Sequence, residues 1–339
     1  MRLKRIGEDA LIAGLAVKFG ARHPRLIKGI GDDTSVVRQE GGKALLATTD
    51  ILIENTHFKR SYTPPYLLGR KSLSISLSDI AAMGGAPLFF LVSIALPREI
   101  DKKFVDEIYR GLAESAGESG CVLAGGNTAR TEKDILIETA VFGEAPEDEV
   151  LYRNGARSGE IVFVTGSLGS SALGLKVLKN HGPDALKRKP YRDSISRHLD
   201  PVPRLKAGRA LATSGLATAM MDISDGVGLD LRRLCEASGR AAVIHLSALP
   251  ISKELSEYGE RTGKSPRMDF ALTGGEDYEL LFTSPEENMK RLSALSKKLA
   301  LPFTPIGKII PGKKAKRTIT VIDEDGRPLK LKRLGFEHF

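Results

Sequence analysis

The stretch KSLSISLSDIAAMGGAPLFFLVSIALP, residues 71–97, decides the fold of this chain because it predicts a helix followed by a buried strand. Leu73, Leu77 and Ile80 recur at helical spacing, so we expect them to face a core. The Gly-Gly pair that follows is a usual signal for the end of a helix. The run LFFLVSIAL is typical of a strand that is covered on both faces.

The same helix carries a polar stripe that ends in a carboxylate. Ser72, Ser76 and Asp79 fall on a side of the helix separate from the apolar face. Taken alone, Asp79 is most simply explained as a solvated residue near a helix end. Four other turns of the chain also carry acidic side chains, which makes a shared site the alternative.

Composition predicts a soluble protein with two α/β domains. The chain has 339 residues, of which 41% are hydrophobic and 27% charged, and this length suits two cores. No apolar run is long enough to cross a membrane. Two cysteines are too few for a disulfide framework, which favours a cytoplasmic location. The net charge of +9 does not predict nucleic-acid binding, because the basic residues are scattered and the densest group lies at 313–317.

The rest of the chain predicts a boundary near residues 146–152, where the sequence APEDEV is polar and contains proline. We therefore expect one domain over 1–150 and a second over 151–339.

The turn Gly166–Ser170 follows a strand and precedes a helix, a weak indication of phosphate binding. Further helices are predicted over 8–20 (with Leu11, Leu15 and Phe19 on one face), over 101–119, after Pro203 and after Asp225; strands over 135–142, 161–164, 271–273 and 278–283; a tight turn at 125–128; a loop over 180–203; and a hairpin with its turn at 323–326.

Acidic side chains recur where strands or helices meet glycine-containing turns. Each case also has an ordinary explanation: a polar turn, a self-satisfied bulge at the Thr-Thr-Asp break of residues 48–50, or a helix N-cap at Asp225. The N-cap leaves Asp222 unexplained. The recurring groups are Asp32/Asp33, Asp50, Asp79, Asp222/Asp225 and Glu276/Asp277.

Oxygen ligands of this kind suit Mg²⁺, which bridges to phosphate oxygens. No Cys/His cluster indicates zinc, and no Walker loop or kinase catalytic loop is present. The pattern therefore favours a site with several Mg²⁺ ions that positions and neutralises a transferring phosphoryl group. A set of unrelated acidic turns remains the alternative.

Several motifs occur together and in order over nearly the whole chain. They are GIGDD, TTD…HF, SLSDIAAMG, GGNT, RNGARSGE, RHLDPVPR, DISDG, TGGEDYELLFT and the final GFEHF. With these motifs the chain resembles the thiamine-monophosphate kinase family, within the aminoimidazole-ribonucleotide-synthetase-like superfamily. The resemblance implies transfer of the terminal phosphate of ATP to thiamine monophosphate, giving thiamine diphosphate and ADP. It also implies two α/β (α+β) domains, with a homodimer formed by the N-terminal sheets and the nucleotide in a cleft that the C-terminal domain completes.

The resemblance also implies roles for individual residues. No side chain is an evident general base, and the acceptor phosphate already has ionised oxygens, so in-line transfer would need metal bridging more than proton abstraction. The implied Mg²⁺ ligands are Asp33, Thr48, Thr49, Asp50, Asp79, Asn127, Asp222 and Asp225; the implied ATP contacts are Gly126, Asn127, Arg153 and Ser224; and the implied thiamine-monophosphate contacts are His57, Glu276 and Phe336.

One departure concerns the turn that usually reads Gly-Gly-Asp-Thr in this family and here has Asn127. Since asparagine keeps an oxygen ligand but loses the charge, we expect weaker affinity for one Mg²⁺ and not loss of the site. Two alternative functions remain. The first is another ATP-dependent enzyme of the superfamily, such as an amidine-forming or selenophosphate synthetase, although the latter needs a reactive residue near the N-terminus and the first cysteine is Cys121. The second is a non-catalytic nucleotide-binding relative.

Overall fold

The computed structural model describes residues 6–20, 22–312, 318–331 and 333–337. The basic group at 313–317 and the last two residues of the GFEHF motif lie outside these ranges. Within them, the strands form two six-stranded sheets, one in each half of the chain. Each sheet is antiparallel except for one parallel pair at an edge. This arrangement confirms the predicted two-part α/β (α+β) class.

The first sheet has the strand order β1-β2-β3-β6-β4-β5, and the second has the order β12-β9-β11-β7-β10-β8. The strands of the first sheet are β1 (Leu26–Lys28), β2 (Ser35–Arg38), β3 (Lys43–Ile53), β4 (Ala86–Leu96), β5 (Val122–Arg130) and β6 (Leu136–Pro146). Those of the second are β7 (Ile161–Thr165), β8 (Ala219–Asp222), β9 (Arg240–His245), β10 (Leu280–Ser284), β11 (Phe303–Pro311) and β12 (Ile319–Ile322).

Helices connect these strands and cover parts of both sheets. None of the helices in the described ranges combines the length and the apolar character that crossing a membrane would need. The α-helices are α1 (Glu8–Phe19), α2 (Pro65–Ala82), α3 (Lys102–Ser119), α4 (Ser170–His181), α5 (Arg192–Leu199), α6 (Leu205–Thr213), α7 (Val227–Ala237), α8 (Lys253–Thr262) and α9 (Met289–Leu299).

Helix α2 is the element on which both halves of the chain pack. Leu73 and Leu77 are fully buried in the core of the first sheet, as their spacing predicted. Ala81 and Ala82 instead pack with apolar residues of the second half. The helix ends at the predicted place, and Gly84 follows with a φ of 71° that favours glycine. Because α2 contacts both halves, a side chain near its end can meet groups from either.

Within the single chain strand β4 is buried on one face only, so this chain alone does not cover both faces as predicted. Phe90 and Val92 are buried in the core beside α2. Leu91, which points to the opposite face, and Leu88, which a bulge between Pro87 and Phe89 offsets from the regular pleat, are each 37% exposed. The pleat of the strand sends alternate side chains to the two faces, and only the face toward α2 is packed.

Two predicted interruptions of the first sheet are continuous strand in the structure. Strand β3 pairs with β6 in unbroken register from Lys43 to Ile53, so there is no bulge at the Thr-Thr-Asp segment. The Gly-Gly-Asn-Thr segment lies inside β5 and is not a tight turn. A Cβ at Gly126 would overlap the backbone of Val92 on β4. This glycine therefore permits the close approach of two strands and does not serve a turn.

Two segments of the second half are helical, contrary to prediction. The expected loop over 180–203 contains α5, because Ile195 and Leu199 pack in a hydrophobic cluster with residues of α4 and α8. The expected strand at 271–273 is instead the end of a π-helical turn over Arg267–Leu272, where Phe270 packs edge-on against Tyr258. In both cases tertiary packing decides the local structure.

The predicted first helix is present as α1, but its predicted apolar face is not buried. None of its residues is buried, and Phe19 is 64% exposed. The helix is attached instead by Asp9, which forms ion pairs with Arg232 and Arg233 of α7.

The other predicted elements are confirmed as α3, α6, α7, β6, β7 and β10. The turn at 323–326 is also present, since the backbone N–H of Asp323 donates to the carbonyl of Arg327 at 2.9 Å. The domain boundary near 146–152 stays a prediction.

Candidate active site

Three carboxylates from distant parts of the sequence meet between the two halves of the chain. Asp33 precedes β2, Asp79 lies in the last turn of α2, and Asp222 ends β8. Each offers a carboxylate oxygen, and these atoms all lie within 4.8 Å of one another. Asp79 is therefore not the solvated helix-end residue that its position alone suggested.

Hydroxyl groups hold two of these carboxylates in place. The Thr48 hydroxyl donates a hydrogen bond to Oδ2 of Asp79, and the Ser78 hydroxyl donates to Oδ2 of Asp222 at 2.7 Å. The second bond crosses from α2 to β8, so it also joins the two halves of the chain. Each carboxylate keeps further lone pairs that a cation can accept.

Asp50 adds a fourth carboxylate, and we call Asp33, Asp50, Asp79 and Asp222 the carboxylate cluster. Asp50 lies on β3 two residues after Thr48, so both side chains leave the same face of the strand. Oδ2 of Asp33 and Oδ2 of Asp50 are buried and have no hydrogen-bond partner in the part of the chain that the structure describes. Buried orphan oxygens are costly, and a bound cation would satisfy them.

Burial and mutual repulsion raise the pKa values of the carboxylate cluster. Burial raises the pKa of Asp79 well above its usual range, and the charges of Asp50, Asp222 and Asp33 raise it further. Burial also raises the pKa of Asp222 well above its usual range, with the charge of Asp33 next. The pKa of Asp50 is raised by burial, against the Ser76 hydrogen bond. These carboxylates are therefore harder to ionise than free aspartates unless a cation neutralises them, and this donor set suits Mg²⁺.

Arg153 supplies one positive charge beside the cluster. Its guanidinium lies 2.6 Å from Oδ1 of Asp33, and its backbone N–H donates to Oδ1 of Asp32 at 3.1 Å. Burial raises the pKa of Asp33, while Arg153 opposes that increase. A guanidinium at this position can also contact phosphate oxygens.

Asp225 is held by Arg233 and does not cap α7. The N-cap of α7 is Gly226, so the predicted N-cap role of Asp225 is wrong. The Arg233 guanidinium lies 2.5 Å from Oδ2 of Asp225 and 3.2 Å from Oδ1 of Asp230. The backbone N–H groups of residues 225 and 226 donate to Asp230, which fixes this turn.

The pleat separates two of the predicted Mg²⁺ ligands from the cluster. The Thr49 hydroxyl donates to Oε1 of Glu138 at 2.8 Å, on the face of the first sheet opposite to Asp50. Strand register aligns Asn127 with Ser93, Ser93 with Glu138, and Glu138 with Ile51. Asn127 therefore lies on the same outer face, about 14 Å from β3 at three strand spacings. Neither the Thr49 hydroxyl nor the Asn127 side chain joins the carboxylate cluster of the same chain.

Glu276 lies in a second charged group, formed with two residues that sequence reasoning missed. Nζ of Lys71 lies 2.7 Å from its Oε1, and Nδ1 of His198 lies 3.2 Å from its Oε2. The His198 ring also meets the hydroxyl of Ser171 at 3.1 Å. Burial alone would raise the pKa of Glu276, but the charged neighbours hold it well below its usual range. Burial and the Lys71 charge lower the pKa of His198, so we take Lys71 as the cation of this group.

The backbone brings two other predicted site residues, Ser224 and Phe336, next to Glu276 and Asp225. The N–H of Glu276 donates to the carbonyl of Ser224 at 2.6 Å, and the N–H of Phe336 donates to the carbonyl of Asp225 at 2.9 Å. The Phe336 side chain is half exposed. The C-terminal segment therefore reaches the same region as the turn after β8.

His57 follows the end of β3. Its Nδ1 accepts a hydrogen bond from the backbone N–H of Ile53 at 3.0 Å. This bond fixes the ring close to the strand that carries Thr48 and Asp50.

The start of α4 is already occupied by a carboxylate. The backbone N–H groups of Gly169 and Ser171 donate to Asp277, at 2.7 Å and 3.4 Å. These are the groups that a phosphate would use at a helix N-terminus. The weak phosphate prediction for this turn is therefore wrong.

The missed residues carried recognisable signals. Lys71 is a charged residue seven positions before Ser78, and therefore on the buried side of α2. Arg233 follows three residues after Asp230, the spacing of neighbours on a helix surface. His198 gave no signal of its own, because a lone histidine has no distinctive spacing.

Two family models match the chain, one for each half. Residues 31–145 match the N-terminal domain, and residues 157–320 the C-terminal domain, of AIR synthase related proteins. Curated relatives match over almost the whole length. The thiamine-monophosphate kinase of Aquifex aeolicus is 36% identical over 100% of both chains. That of Bacillus subtilis is 34% identical over 94% of this chain and 95% of its own.

A solved structure described as AaThiL complexed with AMPPCP and TMP has the same fold. Its TM-score to this chain is 0.87 at 36% sequence identity, covering 100% of this chain and 99% of that one. The similarity therefore extends across both halves and across the junction where the carboxylate cluster lies.

Proposed function

The chain belongs to the thiamine-monophosphate kinase family, and from this premise we propose that it transfers the terminal phosphate of ATP to thiamine monophosphate, giving thiamine diphosphate and ADP. One observation carries the proposal: carboxylates from both halves of the chain converge, and two of their buried oxygens have no partner among the described residues. A related structure was solved with AMPPCP and TMP, an ATP analogue and the acceptor.

The carboxylate cluster would hold Mg²⁺ ions, with Thr48 and Asp225 beside it. Bound Mg²⁺ would neutralise the phosphate oxygens of both substrates, which otherwise could not approach several carboxylates. Thr49 and Asn127 remain predicted ligands, but their side chains would have to act from the outer face of the first sheet.

The chain's own residues would bind and orient the two substrates. Arg153, which pairs with Asp33 of the cluster, would donate to phosphate oxygens of ATP, and Ser224, two residues after Asp222, would also contact ATP. His57, Glu276 and Phe336 would form the acceptor side. The transfer needs no side chain that removes a proton, because the acceptor phosphate is already ionised.

We further propose a homodimer in which the outer faces of the first sheets pair. This face exposes apolar side chains that a monomer would leave in water, namely Ile51, Leu88 and Leu91. All nine residues of β5, including Gly126 and Asn127, are exposed in the single chain. Leu91→Arg is expected to convert the protein to a monomer in sedimentation equilibrium. A wild-type protein that sediments as a monomer would contradict the dimer. The cytosol stays the predicted compartment.

The test of the reaction is ADP release from Mg-ATP with and without thiamine monophosphate, followed by chromatography of the products. We expect ADP release that depends on thiamine monophosphate and an equal amount of thiamine diphosphate. Absence of stimulation, with nucleotide still bound, would favour another acceptor or a binding-only relative.

A further inference from the structure

We propose that Lys71 is a positioning residue of the acceptor pocket, where it fixes the orientation of the Glu276 carboxylate. This inference rests on the proposed function, which assigns Glu276 to thiamine-monophosphate binding. Lys71 lies on α2 in the first half of the chain, and Glu276 lies in the second half. The Lys71–Glu276 contact therefore joins the two halves of the chain and fixes the position of this carboxylate at their junction.

Both oxygens of Glu276 have a fixed partner. Lys71 lies at Oε1 and His198 at Oε2, at 2.7 Å and 3.2 Å. The two partners are almost fully buried, with 1% and 2% of their side chains exposed. A carboxylate held at both oxygens by buried groups has one orientation, which is what recognition of a ligand requires.

The Lys71 ammonium group is buried and pairs with a single carboxylate in the described part of the chain. Apart from the ion pair with Glu276, Nζ of Lys71 has no hydrogen-bond partner among the described residues. A buried ammonium group is costly unless it is paired, so an apolar residue would serve simple packing better.

The backbone around Glu276 is strained in a way that supports a functional geometry. Glu276 and Tyr278 have φ values of 64° and 50°, in the left-handed region that non-glycine residues rarely adopt. Backbone bonds from Glu276 to Ser224 and from Tyr278 to Ile223 maintain this conformation. Strain of this kind persists where surrounding contacts over-determine it, commonly at ligand sites.

Lys71 lies away from the carboxylate cluster. Eight residues of α2 separate it from Asp79, which corresponds to about 12 Å along the helix axis. We therefore expect its effect on the acceptor and not on Mg-nucleotide binding.

The test is steady-state kinetics of Lys71→Met together with Mg-AMPPCP affinity. We expect the KM for thiamine monophosphate to rise about tenfold or more, with nucleotide affinity changed less than about threefold. Lys71→Arg should recover part of the loss. The matched control is Arg70→Met, because Arg70 is the adjacent residue of α2 and pairs with Glu118 and Asp200 instead. This control should leave the KM for thiamine monophosphate within about threefold of wild type.

A double variant separates positioning from a purely structural role. If Lys71 acts through Glu276, Lys71→Met should raise the KM less than about threefold further in a Glu276→Gln background. In the double variant both charges of the ion pair are removed, so no buried charge is left unpaired. If Lys71→Met alone does not fold, the double variant can still be compared with Glu276→Gln.

The outcomes distinguish this inference from the proposed function. If the wild type neither binds nor phosphorylates thiamine monophosphate, the proposed function and this inference both fail. If the wild type is active and Lys71→Met has a normal KM for it, only the inference is overturned. If the effects of Lys71→Met and Glu276→Gln on the KM for thiamine monophosphate simply add, the inference is also overturned.

Discussion

The two faces of the first sheet carry polar side chains in opposite environments, although these residues are neighbours in sequence. On the inner face, Thr48 and Asp50 meet Asp79 and the side of α2, where burial raises carboxylate pKa values. On the outer face, Thr49 bonds to Glu138, and Asn127 is exposed on the edge strand. A difference of one residue in sequence, between Thr48 and Thr49, thus decides whether a side chain meets the buried carboxylate cluster of its own chain or lies on the outer face.

The largest expected effect comes from neutralising an inner-face carboxylate. Asp79→Asn or Asp222→Asn is expected to lower kcat by about 100-fold or more, because the cluster would lose a charge that holds Mg²⁺. Folding should be retained, since each substitution removes a repelled carboxylate. The matched control is Glu138→Gln on the outer face, expected to stay within about threefold of wild type. Near-normal kcat in either aspartate variant would refute the assignment of that residue.

A smaller effect is expected from the adjacent threonines. Thr48→Val removes a hydrogen bond to a carboxylate, worth about 1.5 kcal/mol, which corresponds to about tenfold in kcat/KM. Thr49→Val removes a bond to Glu138, an exposed contact, and should have the smaller effect of the two. Kinetics of both variants at saturating Mg²⁺ would measure the difference. A larger loss of kcat/KM for Thr49→Val than for Thr48→Val would contradict the difference between the inner and outer faces.

Asn127→Asp tests whether the outer face contributes to metal binding at all. Restoring the charge is expected to lower the Mg²⁺ concentration needed for half-maximal turnover by about twofold to fivefold. The measurement is the Mg²⁺ dependence of ADP release for the two proteins. An unchanged dependence would show that Asn127 is not the cause of a weakened site.

The smallest effect is on stability. Since the pKa values of Asp79 and Asp222 are raised in the folded state, the folded protein binds protons that the unfolded chain releases. Stability of the metal-free protein should therefore fall as the pH rises above the ordinary aspartate pKa of about 4. Mg-AMPPCP should reduce this slope by neutralising the cluster. Thermal unfolding with EDTA or with Mg-AMPPCP would measure it, and parallel curves would contradict the expectation.

Local patterns predicted the parts of the site that lie at element ends. The turn before β2, the end of α2 and the end of β8 were identified from Asp33, Asp79 and Asp222, each beside glycine or a buried strand. Their convergence could be proposed because hard oxygen donors recurred, and the structure brings these three together.

Tertiary contacts decided what local patterns could not predict. The Gly-Gly-Asn-Thr segment has the composition of a turn, yet the close approach to Val92 makes it strand. Helix α5 forms because Ile195 and Leu199 find partners on α4 and α8. The spacing of Lys71 to Ser78 could indicate its burial but not its partner, because Lys71 and His198 pair with Glu276, which is about 200 and 80 residues away in sequence.

The most direct test of the inner-face site is a titration with Mn²⁺, a substitute for Mg²⁺, in which electron paramagnetic resonance measures the free ion in the presence of AMPPCP. Wild type, Asp79→Asn and Glu138→Gln would be compared at equal protein concentration. We predict that Asp79→Asn loses at least one tightly bound ion, whereas Glu138→Gln binds as wild type does. Equal binding by Asp79→Asn and wild type would contradict the assignment of the carboxylate cluster as the metal site.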